Sequence, residues 1–147
     1  MHSYTCNCGT LFQQRKRVIV TKPISYMPYA SAGVLIHGVA CDNGDIEERM
    51  TLVSYETEIL ELVDIYKFGG GVKHVLRIIE MVYTNTTIKH VIAFLREYCE
   101  GITYRDIKKM DTTAAHHVPG TQLIIELDLD TLNYDIITAD KTITLAF

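Results

Sequence analysis

The segment Asp42-Asn43-Gly44-Asp45 constrains this chain more than any other. An Asn-Gly pair between two β-rich runs is the strongest short-range hairpin signal, because both residues tolerate positive φ. Gly33 to Cys41 (GVLIHGVAC) is a nearly continuous apolar run with β-branched residues, and Ile46 to Val53 can return beside it. Lys16 to Thr21 (KRVIVT) reads as another short strand ending before Pro23, and Ile24 to Ser31 reads as a loop. The N-terminal third is therefore expected to be a small antiparallel sheet.

The middle of the chain has helical spacing. Ser54 can cap a helix whose first turn holds Glu56 and Glu58, acids placed well against the N-terminal dipole. Tyr55, Ile59, Leu62, Val63 and Tyr66 share one face of it, and Gly69 would end it. A second helix is expected from Gly71 to Tyr83, with Val72, Val75, Leu76, Ile79, Val82 and Tyr83 as its stripe. A third is expected from Thr87 to Cys99, and Thr103 with Asp106 forms a capping-box start for a short fourth, Tyr104 to Met110. Val72-Lys73-His74-Val75-Leu76 and Ile88-Lys89-His90-Val91-Ile92 share one pattern, and both are read as opening a helix.

The C-terminal part alternates. Leu123, Ile125, Leu127 and Leu129 interleave with Ile124, Glu126, Asp128 and Asp130, the pattern of a half-buried strand with a solvated carboxylate face. Asn133 to Thr138 pairs back, and Thr142 to Phe147 makes a last strand, apolar and β-prone, which on an edge would be a template for another chain. The expected fold is α+β: an N-terminal antiparallel hairpin or small sheet, three to four central helices and a C-terminal antiparallel meander.

Composition bounds the functional classes. The chain has 147 residues, 48% of them hydrophobic, which suits one domain over 1–147 and argues against disorder. No apolar run approaches the roughly 18 residues that span a bilayer, and MHSYTCNCGT lacks an apolar signal core, so a cytoplasmic setting is expected. The net charge of −4 is uneven. Arg15, Lys16, Arg17 and Lys22 stand in an acid-free start, whereas Lys141 alone faces Glu126, Asp128, Asp130, Asp135 and Asp140 at the end. A uniformly basic nucleic-acid binder does not look like this, and unlike ends can meet within one chain or between copies.

The chemistry-bearing candidates are few. Gly69, Gly70 and Gly71, read as opening a helix, would aim backbone N–H groups at an anion, with Lys73 and His74 adding donors. The plainer reading is a sharp turn between helices, and neither GxxxxGK[ST] nor GxGxxG is present. Tyr104, Arg105 and Lys108, with Lys109, form a basic aromatic helix suited to phosphates. Cys6, Cys8, His37 and Cys41 offer a ligand set that suits zinc, but Cys-x-Cys is tight and the second pair sits in an apolar strand, so no metal or other cofactor is assigned. No GxSxG elbow appears.

The function expected from these residues is a non-enzymatic, homo-oligomeric binding protein that takes a nucleotide or other phosphorylated molecule at a glycine-rich helix N-terminus. Three alternatives stand beside it. One is a small inhibitor, of the kind viruses and mobile elements encode, that sequesters a host protein. The others are a helix-turn-helix DNA-binding regulator, turning at Glu100 to Thr103, and a small phosphoryl-handling hydrolase.

Overall fold

The computed structural model describes residues 8–9, 18–20, 32–81 and 83–147, the first two segments by backbone alone. Its strands are β1 (Cys8–Gly9), β2 (Val18–Val20), β3 (Ala32–Cys41), β4 (Ile46–Ser54), β5 (Thr57–Tyr66), β6 (Val72–Ile78), β7 (Ile124–Asp128), β8 (Asn133–Ile137) and β9 (Thr142–Ala146). Two helices, α1 (Asn85–Tyr98) and α2 (Tyr104–His117), fall between β6 and β7. From β3 to β9 each strand pairs antiparallel with the next in sequence, while β1 and β2 both pair with β3. The loop expected at Ile24 to Ser31 lies outside the described residues.

The expected hairpin is present, with one change in its turn. Gly44 N–H donates to the Cys41 carbonyl at 3.0 Å, and Cys41 N–H donates to the Asp45 carbonyl at 2.8 Å. Only Gly44, at φ 92°, is left-handed. A type I turn followed by a left-handed glycine is the three-residue solution for a hairpin. A side chain at Gly44 would also strike the Phe68 ring, whose nearest atom lies 2.7 Å from where a Cβ would sit.

The expectation of three to four central helices fails at its first two. Residues expected to form a helix after Ser54 are β5, reached by a two-residue turn in which Tyr55 (φ 49°) and Glu56 (φ 68°) are both left-handed. Those expected to form a helix from Gly71 are β6 and the segment after it. The physical reason is burial on both faces. Leu60 and Leu62 of β5 point to one side while Glu61, Val63 and Ile65 point to the other, and most of these positions are buried. Period two is then hidden, and the remaining apolar positions fit period 3.6 equally well. The small N-terminal sheet and the C-terminal meander are thus one continuous sheet.

The last two helices do form. Thr84 caps α1 by accepting from the Thr87 N–H, and Thr103 and Asp106 make the reciprocal capping box of α2. The second of these helices runs to His117, seven residues beyond its expected end at Met110. Both helices lie on one face of the sheet, where Leu52, Leu60, Leu76, Ile78, Ile125, Leu127 and Ile136 pack with Val91, Phe94, Leu95, Ile107 and Met110. No helix among the described residues is long and apolar enough to cross a membrane.

Candidate functional site

The residues expected to bind an anion are not brought together. Gly69, Gly70 and Gly71 lie in the β5–β6 turn, closed by Gly70 N–H donating to Lys67 and Lys67 N–H donating to Gly71, each at 3.0 Å. A strand follows it, so the helix N-terminus that was the physical reason for an anion there is missing. Lys73 and His74 are neighbours in that strand and point to opposite faces of the sheet. Tyr104, Arg105 and Lys108 belong to the first turns of α2, a separate element.

The zinc candidates are likewise dispersed. His37 and Cys41 share a face of β3 but stand four residues apart, about 13 Å along a strand, too far to share an ion that each must approach to about 2.3 Å or closer. Cys8 sits in register with Cys41, and Cys6 lies outside the described residues. Among the described residues no group of His, Cys, Asp and Glu is arranged to hold a metal.

What the register does assemble is a polar row across the sheet face opposite the helices. Thr51, Glu61, Arg77, Glu126, Asp135 and Thr144 are successive partners from β4 to β9. The Thr51 hydroxyl donates to Glu61 Oε1 at 2.8 Å, and Arg77 Nη1 donates to Glu61 Oε2 at 2.8 Å. Arg77 Nε donates to Glu126 Oε2 at 2.6 Å, and the Thr144 hydroxyl donates to Asp135 Oδ1 at 2.7 Å. Glu47, two rows away on the same face, accepts from Arg77 and from Arg49 Nε at 2.8 Å.

Arg77 is 0% exposed, Glu61 1% and Glu47 2%. Charges this deep persist only when paired and hydrogen-bonded. The carboxyls respond differently. Burial opposes the Glu47 charge, but Arg77 and Arg49 more than offset it and hold its pKa below the usual range. Burial raises the pKa of Glu126, and Arg77 only partly reverses that while Glu47 adds repulsion. Sequence reasoning missed this cluster, since Glu126 was read as solvated and Arg77 fell on the outer side of an imagined helix.

On the helix face, α1 and α2 cover only part of the sheet. Beyond the α1 C-terminus the register builds three rows across β3 to β6: Ile36, Met50, Leu62 and Leu76; then Gly38, Glu48, Asp64 and His74; then Ala40, Ile46, Tyr66 and Val72. Ile36, Ile46, Tyr66 and Val72 are each between 40% and 46% exposed. A groove of about 470 Å³ runs here, bounded by Ile36, Met50, Leu62, Tyr98 and Leu129 and by the polar Glu48, Asp64 and His74. The Tyr66 hydroxyl donates to Glu48 at 2.7 Å, and His74 Nδ1 lies 2.7 Å from Asp64. The hydrogen bond to Asp64 raises the His74 pKa, and Asp128 and Asp130 add to it from the side.

The chain was compared with protein-family models, with curated proteins and with solved structures, and none of them matches it.

Proposed function

We propose that the protein is a non-enzymatic binding protein that docks a protein segment on the uncovered part of its helix face. The observation that supports this is the layout of that face: exposed Ile36, with Met50 and Leu62 partly exposed beside it, and exposed Ile46, Tyr66 and Val72 flank a row carrying Glu48 and Asp64. Exposed apolar side chains clustered beside polar groups mark a protein contact. Carboxylates at its centre, with Asp128 and Asp130 near enough to raise the His74 pKa, favour a partner that sets a lysine or arginine between apolar side chains. This reading develops the sequestering-inhibitor alternative. It replaces the phosphorylated ligand, whose expected helix N-terminus is a β-turn.

The test is a pair of labelled peptides, one with leucines flanking lysines and one with glutamates in place of the lysines. The lysine peptide should raise the melting temperature, in line with stabilisation by about 2.7 kcal/mol at a hundredfold excess over Kd. A Glu48→Lys, Asp64→Lys double variant should lose that response. Equal responses to the two peptides, or none to either, would sink the proposal.

A further inference from the structure

The strand β9 is the edge of the sheet, and its chemistry suits one occupant. Thr138 N–H donates to Lys141 at 2.9 Å and Phe147 N–H donates to Leu132 at 3.0 Å. In an antiparallel ladder hydrogen-bonded residues alternate, so Lys141, Ile143, Leu145 and Phe147 turn their backbone groups toward β8. Thr142, Thr144 and Ala146 therefore turn theirs outward, and among the described residues no strand pairs with them. Edges are usually protected by charge, proline or a bulge. The sequence of β9, TITLA, has neither charge nor proline, and its register with β8 is unbroken.

We infer that the chain forms a two-fold dimer by antiparallel pairing of β9 with β9 of a second copy, centred on Thr144. With that centre each copy offers its outward groups at Thr142, Thr144 and Ala146 to the same set in reverse order. Ile143 faces Leu145 of the second copy on the helix face, extending the apolar surface to which both already belong. On the other face Thr144 meets its own equivalent, so the polar row that begins at Thr51 meets its own copy. Cross-strand Thr–Thr and aliphatic pairs of this kind are favourable. A two-fold sets like against like, which penalises a charged edge, and this edge carries none. The nearest like charges, the two Asp135 carboxylates, would stand three strand spacings apart, roughly 14 Å and beyond the screening length of about 8 Å.

Sedimentation of the full chain across a concentration series tests this. A reversible dimer is expected, and Thr144→Pro, which removes an outward N–H but no bond to β8, should weaken it at least tenfold. Thr144→Cys should give, on mild oxidation, a covalent dimer joined 144 to 144, because a hydrogen-bonded antiparallel pair holds its Cα atoms about 5.5 Å apart, within disulfide reach. A monomer at every concentration overturns the inference. So does a dimer that Thr144→Cys does not trap, or one trapped through any other cysteine. If Thr144→Pro fails to fold, the cysteine variant decides alone.

Discussion

Two pentapeptides in this molecule share a pattern and adopt different structures. Val72-Lys73-His74-Val75-Leu76 is strand β6, whereas Ile88-Lys89-His90-Val91-Ile92 is the middle of α1. The difference lies in their flanks. Before the first come Gly70 and Gly71, both left-handed (φ 104° and 91°), which turn the chain back along β5. Before the second comes Thr84, which caps a helix. After the first comes Arg77, which the sheet buries against three carboxylates; after the second comes Ala93, small, fully buried and the best helix former. The five shared residues tolerate either state, and their neighbours choose. The two histidines then diverge: His74 is exposed beside Asp64, while His90 is 0% exposed and hydrogen-bonds Ser54 Oγ at 2.8 Å.

The largest break in this comparison is expected at Arg77. Arg77→Met keeps apolar volume in β6 but leaves Glu47, Glu61 and Glu126 facing a neutral thioether. Removing one side of a buried ionic cluster costs about 3–5 kcal/mol, so urea unfolding at neutral pH should show a large drop in midpoint. Acidification should recover part of the loss, because protonated carboxyls no longer need a cation. Replacing Arg77, Glu61 and Glu126 together by Met, Leu and Leu should cost much less than Arg77→Met alone. Equal losses in the two variants would show that the cluster matters as packed volume and not as paired charge.

A smaller and sharper contrast lies between the histidines themselves. His90→Ala removes a fully buried ring and its bond to Ser54, which together with the Ser54–Thr87 bond ties α1 to the end of β4, and should cost about 2 kcal/mol. His74→Ala removes a solvent-exposed partner of Asp64 and should lower the unfolding midpoint far less than His90→Ala does, because exposed pairs contribute little. A comparable loss at both positions would mean that His74 contributes more to the sheet than its exposure indicates.

The legible parts of the sequence are those where polar and apolar residues alternate or where a cap is local. Ile124 to Asp128, Asn133 to Ile137 and Thr142 to Ala146 show period two, and the Asn43-Gly44 turn and the Thr103–Asp106 capping box are signals within four residues. Strand β6 was illegible because Val72, Val75, Leu76 and Ile79 recur at helical spacing while Arg77 looks like a solvated position. Its burial depends on Glu61 and Glu126, which are brought beside it only by the sheet register. The uncovered rows of the helix face depend on the same register, together with where α1 ends. Neither can be read from one segment alone. The glycine turn shows the converse: three glycines were informative about a reversal of direction and silent about the element that follows.

The smallest expected effect is a pair of opposed pH dependences. Burial lowers the His90 pKa below its ordinary 6.5. The unfolded chain therefore binds more protons there between that lowered pKa and 6.5, so stability rises with pH through that window, falls on acidification through it, and changes no further below it. The hydrogen bond to Asp64 raises the His74 pKa above 6.5. Its contribution is complete below 6.5 and is lost as pH rises through the raised value. In the native chain the two windows meet at the ordinary value of 6.5, giving a shallow maximum there. His74→Gln should remove the alkaline decline, and His90→Asn should remove much of the acid decline. Salt should flatten the first limb more than the second, because the His74 pair is exposed and the His90 site is not. If both limbs responded equally to salt, the contrast in burial between the two Lys-His pairs would not be what sets their titration.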